Sequence, residues 1–172
     1  MTDELIARVA ALEAERDILH NMYRYGHTID LGDEDGWLDC FTEDGVFAAR
    51  SERPQYPPFH VEGRAALEDF IQHHTRPPGL WHKHLLIEPL IEVDGDQATA
   101  RSYFVVVVEH EGRPTVRVFG RYADRLRRGA DGRWRFAERL ATIDSVMPGL
   151  PPLAGGRERA EQALAEAERA GA

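Results

Sequence analysis

WHKHLLIEPLIEVDGDQATARSYFVVVVEHEGRPTVRVFGRYADRLRRGADGRWRFAERLATIDSV, residues 81–146, decides the fold. The stretch is dense in Val, Ile, Tyr, Phe and Thr. It is interrupted by three acid–glycine pairs: Asp94-Gly95, Glu111-Gly112 and Asp131-Gly132. Such pairs supply the positive φ of a tight hairpin turn. The spacing predicts four long strands near 81–93, 96–110, 114–128 and 133–146, joined as an antiparallel meander.

Upstream, the period changes to that of helices. Residues 3–30 read as one long amphipathic helix with Thr2 or Asp3 as its cap and Gly32 as its stop. Its stripe is Leu5, Val9, Leu12, Leu19, Tyr23 and Asp30, interrupted by Arg16. Asp33–Phe41 reads as a short second helix, and Val46–Ala49 as a short strand. Residues 64–75 form a third helix with Leu67, Phe70 and Ile71 on one face, stopped by RPPG at 76–79. Helices first and a meander after predict an α+β fold, with the helices packed on one side of a curved antiparallel sheet.

Residues 1–147 read as one domain. From Pro148, PGLPPLAGG is a linker. The Ala-, Glu- and Arg-rich tail after it has helical composition but little apolar face, which suits a frayed end or a strap on a partner subunit. Residues 50–60 hold three prolines with Tyr56 and Phe59, and read as a loop or lid over a binding site.

A formal net charge of −9 over 172 residues argues against nucleic-acid binding and against a polybasic membrane anchor. Residues 1–20 are a charged helix rather than a signal core, and no apolar run reaches bilayer-spanning length. The single Cys40 cannot form an internal disulfide, which suits a reducing, cytoplasmic location. CxxC and HExxH motifs are absent, so no zinc or other metal site is expected.

The candidate chemistry begins with Asp30. A carboxylate that continues an apolar helical face needs compensation, and His84 on the first long strand is the candidate partner. The pair reads either as a proton-transfer dyad or as a capping acid beside a packed imidazole. A two-residue turn at Asp94-Gly95 would pair Val93 with Asp96, placing His84 opposite Val105. His84 would then share its face with Tyr103, Val105, Val107 and Val118, the apolar wall of a small-molecule pocket. A β-bulge, which Pro89 invites, would swap the faces.

The opposite face would carry Phe104, Val106, Val108, Phe119, Trp134 and Phe136. It is apolar enough to be the interface of a homodimer, with a trimer as the alternative. Tyr23, two helical turns before Asp30, is either a phenol that polarises a substrate carbonyl or a core tyrosine. His110 ends a strand and falls on the outer face in this register. His73, His74 and His82 form no ligand spacing and read as rim or surface.

Four ordered segments carry a resemblance: YRYGHTIDLGDEDGWLDCFTEDGVF at 23–47, GRAALEDFI at 63–71, HLLIEPLIEVDGDQATARSYF at 84–104 and GRYADRLRRGADGRWRFAER at 120–139. Together they resemble the SnoaL-like branch of the NTF2-like superfamily, which includes polyketide cyclases, scytalone dehydratase and ketosteroid isomerase. The resemblance implies a cone-shaped α+β barrel. It also implies an Asp at the end of the first helix paired with a His on the first long strand, positions matched by Asp30 and His84.

Where relatives often carry Asn four residues after the His, this chain has Glu88. Some dehydratase relatives use a second histidine on the strand of His110. The implied activity is a cofactor-independent lyase or isomerase, first a dehydratase of a small, mainly apolar, oxygenated ring compound. Aldol-type polyketide cyclisation is the enzymatic alternative, and a non-catalytic ligand-binding or partner subunit is the alternative of another class.

Overall fold

The computed structural model describes residues 2–53, 56–150, 153 and 155–171. In chain order the elements are α1 (Thr2–Leu31), α2 (Glu34–Leu38), β1 (Phe41–Ser51), β2 (Phe59–Glu62), α3 (Arg64–His73), β3 (His82–Asp94), β4 (Gln97–His110), β5 (Arg113–Arg128), β6 (Trp134–Val146) and α4 (Gly156–Gly171). The helices at the N-terminal end lie over a curved, unclosed six-stranded sheet of order β2-β1-β6-β5-β4-β3. β3 to β6 form the antiparallel meander, with Gly95, Gly112 and Gly132 at positive φ in its turns. The sheet as a whole is mixed, because β1 runs parallel to β6 while pairing antiparallel with β2.

A one-residue bulge reverses the expected facing of β3 and β4. The first turn pairs Asp94 with Gln97, not Val93 with Asp96, which moves the register by two and keeps the facing, and the bulge at Glu88-Pro89 then moves it by one. Glu88 takes the left-handed φ of 51° that lets the strand absorb the extra residue. His84 therefore lies opposite Val106 rather than Val105. A slip of one residue turns every side chain to the other face. Tyr103, Val105 and Val107 consequently occupy the outer face and do not share the face of His84, with Tyr103 53 % exposed. Phe104, Val106 and Val108 are buried inside.

A second irregularity, between the pairs Val106–Val118 and Val107–Val116, returns Val118 to the inner face. His110 keeps the parity of Val106 and Val108 rather than the outer one expected for it. It sits at the hairpin end of β4 with Nε2 4.0 Å from the Glu111 carboxylate.

α1 buries Ile18, Met22, Tyr25 and Ile29, which are spaced four, three and four residues apart as one helical face requires. The stripe through Leu5, Val9 and Leu12 is exposed instead, since the first turns of α1 have no element beneath them. The main core joins this face to Trp37, Phe41, Phe47, Leu67, Ile71 and Phe136. A second cluster of Phe104, Val106, Val108, Val118 and Tyr122 lines the inner sheet, with Leu150 and Leu153 packed on it.

Arg139 is fully buried. It is paired with Asp124 at 2.8 and 2.9 Å, and its guanidinium lies 4.1–4.2 Å from the ring centres of Tyr25, Tyr122 and Phe136.

Phe59 belongs to β2 and not to a free loop. It stacks on Phe70 at 5.6 Å and meets Phe47 edge-on at 5.1 Å. Tyr56 is half-buried just before it; residues 54 and 55 of the expected lid lie outside the described residues. The C-terminal segment straps its own chain. Arg157 binds Glu34 at 2.6 and 2.9 Å, alongside the Arg76–Glu34 pair at 2.5 Å. No described helix is long and apolar enough to cross a membrane.

Candidate active site

Asp30 lies in the last turn of α1, where the helix dipole disfavours a negative charge and no basic side chain offsets it. It is 4 % exposed. The missing compensation comes from β3, an edge strand whose outward N–H groups lack a sheet partner. The backbone N–H of His84 donates to both carboxylate oxygens of Asp30 at 3.0 and 3.1 Å, and His84 Nδ1 stands 2.7 Å from Oδ1. Gly26, one turn earlier, faces the same strand, where a Cβ would stand 3.4 Å from the His84 carbonyl oxygen.

A Nδ1–H donated to Asp30 leaves His84 Nε2 with its lone pair. The His84 side chain is 10 % exposed, so its environment is largely dry. Tyr25 meets its ring edge-on at 6.4 Å, with His82 and His74 at 5.4 and 6.1 Å. Burial, together with the neighbouring His84, pushes His82 down to about 4, and the same causes hold His74 well below the ordinary imidazole value. Burial raises the Tyr25 and Tyr122 phenols, Tyr122 to about 12, and the Cys40 thiol to about 12, so none of these is an anion at neutral pH.

A cavity of about 360 Å³ opens beside the pair, between α1 and β3. Asp30, His84 and Tyr23 line it with apolar Met22, Leu31, Leu85 and Leu86. Tyr23 is 45 % exposed at this groove rather than buried in the core. A larger cavity of about 630 Å³ on another flank of α1 touches Tyr23 but neither member of the pair.

Val118 lies on the inner sheet face, but neither it nor Tyr103, Val105, Val107, Tyr56, Phe59 or His110 lines the groove. His74 and His82, read from the sequence as rim or surface, are 7 % and 2 % exposed and sit beside the pair, whereas His73 is exposed as expected. The signal for His82 was available: on a strand, residues two apart share a face.

A curved α+β sheet covered by helices thus carries a carboxylate–imidazole pair at the helix–sheet junction. Residues 10–140 match the model of the SnoaL-like domain, and the chain belongs to that family, within the NTF2-like superfamily. No curated protein matches it.

Among solved structures it is similar to a single-residue variant of Rv3472, a protein of unknown function from Mycobacterium tuberculosis. That match has 32 % identity over 92 % of this chain and 96 % of the other, with TM-score 0.66. It is similar to an NTF2-like protein with a cystatin-like fold from Novosphingobium aromaticivorans, at 25 % identity over 87 % and 92 % of the two chains and TM-score 0.69. It is also similar to ActVI-ORFA from Streptomyces coelicolor, at 25 % identity over 77 % and 98 % and TM-score 0.65.

Proposed function

We propose that the protein is a cofactor-independent acid–base lyase of the dehydratase type, acting on a small, mainly apolar, oxygenated ring compound held in the groove between α1 and β3. The observation that carries this reading is the 2.7 Å contact between Asp30 Oδ1 and His84 Nδ1. Asp30 fixes the tautomer and raises the basicity of the imidazole. His84 Nε2 removes a proton alpha to the substrate carbonyl, and the Tyr23 phenol at the groove donates to the developing oxyanion. The enolate then expels the beta hydroxyl, which leaves as water on receiving the proton from His84. Aldol-type cyclisation would use the same base and the same donor.

The apolar outer face of the sheet, with Tyr103, Val105, Val107, Val116 and Phe119, is assigned to a homodimer interface. A reducing, cytoplasmic setting suits the buried free Cys40.

The test is a panel of cyclic β-hydroxyketones followed by the absorbance of the conjugated enone product. Asp30→Asn and His84→Gln should each slow turnover by about 10²–10⁴-fold, the usual worth of a positioned acid–base group. Turnover unaffected by both substitutions would refute the dyad, and retained ligand binding without any turnover would favour a binding protein.

A further inference from the structure

We propose that Asp30, His82 and His84 form a binding site for a divalent first-row transition-metal ion such as Zn²⁺ or Fe²⁺. The three side chains each offer one ligating atom, and these atoms lie within 4.8 Å of one another. Asp30 Oδ1 stands 2.7 Å from His84 Nδ1 and 3.6 Å from His82 Nε2. Ligand distances of about 2.0–2.2 Å put neighbouring donors roughly 3–3.5 Å apart, so shifts of a few tenths of an ångström would suffice for these two contacts.

His82 carries the argument. Its side chain is fully buried, and Nε2 has no hydrogen-bond partner. Its other nitrogen, Nδ1, faces the Leu80 carbonyl oxygen at 3.4 Å. The ring thus stands between two oxygen acceptors, and a neutral imidazole has only one N–H. With the proton on Nδ1, the Nε2 lone pair points at a carboxylate. With the proton on Nε2, the Nδ1 lone pair points at a carbonyl.

A cation between Nε2 and Asp30 resolves this conflict. Metal-bound histidines commonly donate the other ring N–H to a backbone carbonyl in this way. Two imidazoles and one carboxylate are a donor set that first-row divalent ions accept with positions left open. Here Asp30 and His84 line the groove, where a water or a substrate oxygen could complete the shell.

The ion would take the Nδ1 position of His84 that otherwise carries the proton shared with Asp30. Metal binding and the acid–base dyad are therefore mutually exclusive states of one site. Binding itself rests on geometry alone and stands whether or not the dyad turns over substrate.

The test uses the full chain, stripped with a chelator and titrated with Co²⁺. The expected result is saturation at one ion per chain, with the visible absorption of a low-symmetry, histidine-ligated site. His82→Gln should weaken this binding by roughly 100-fold or more. His73→Gln, on the exposed side of α3, should leave it unchanged. The unaltered chain provides a second measurement that needs no variant. Zn²⁺ should move the ring-nitrogen signals of only two histidines, His82 at Nε2 and His84 at Nδ1, in long-range ¹H–¹⁵N spectra. No binding at millimolar Co²⁺, undiminished binding by folded His82→Gln, or Zn²⁺ shifts confined to His60, His73 or His110 would overturn the proposal.

Discussion

The Asp30 carboxylate holds His84 by two of its donors, the backbone N–H at 3.0 and 3.1 Å and Nδ1 at 2.7 Å. One acid thereby satisfies an edge-strand amide and fixes the imidazole that the same residue carries. Strand position and ring orientation are locked together, so the geometry of the site depends on α1 keeping its seat on β3.

Asp30→Asn should lower stability as well as activity. The amide keeps one acceptor oxygen but loses the charge, and hydrogen bonds to charged groups contribute about 1.5–3 kcal/mol. Urea unfolding should show a reduced midpoint with an unchanged slope.

Gly120→Ala should destabilise by about 1–3 kcal/mol, the usual cost of overpacking. A Cβ at this position would clash with the Thr142 carbonyl oxygen and stand 2.9 Å from a Phe104 ring carbon. Thermal unfolding would show the loss, and an unchanged melting temperature would mean that β5 and β6 yield there.

Asp124→Ala should cost about 3–5 kcal/mol, because it strands the fully buried Arg139 guanidinium without its partner. The three rings around Arg139 retain some attraction but supply no hydrogen-bond acceptor of comparable strength. The double replacement Asp124→Leu, Arg139→Met should recover part of the loss, as read by urea unfolding.

Acid stability should carry the signature of Asp39. Burial alone would raise its carboxyl, but hydrogen bonds from Arg24, Arg135 and Arg133 outweigh burial and hold it at about 2, against an ordinary value of 3.8. A depressed carboxylate contributes stability that is complete above the unfolded value and is lost as pH falls from about 4 toward 2. Asp39→Asn should flatten that limb of the stability–pH curve and leave its shape near neutrality unchanged.

Phe119→Glu on the outer sheet face should convert a dimer to a monomer in light scattering, since Phe119 is 48 % exposed amid Tyr103, Val105 and Val116. A particle mass equal for both proteins would remove this face as the interface.

The acid–glycine pairs made the meander legible in the sequence, and the helical periods placed α1 and α3. The facing of β3 and β4 was not legible. It depends on the single extra residue at Glu88-Pro89; Pro89 points to the place, but an alternating pattern does not say whether the register changes there when both faces are apolar. The parallel pairing of β1 with β6 joins segments nearly a hundred residues apart, and Thr42–Gly45 reads locally as a turn.

At the site, the partnership of Asp30 with His84 was legible from a carboxylate that needs compensation on an apolar helical face, and the family's motif matches the same two positions. His82 reads as surface when taken alone, although its two-residue spacing from His84 on a strand puts both on one face. The burial of Arg139 is not legible either, because nothing local marks one arginine on the last strands as different from its neighbours.

In the proposed function His84, oriented by Asp30, moves protons to and from carbon. The most direct measurement is solvent-deuterium exchange at the α-carbon of small cyclic ketones, followed by NMR with the chelator-treated protein. Proton transfer by this pair requires exchange that the unaltered chain catalyses and that is slowed by about 10²-fold or more in His84→Gln and Asp30→Asn. Equal exchange by all three proteins would contradict it.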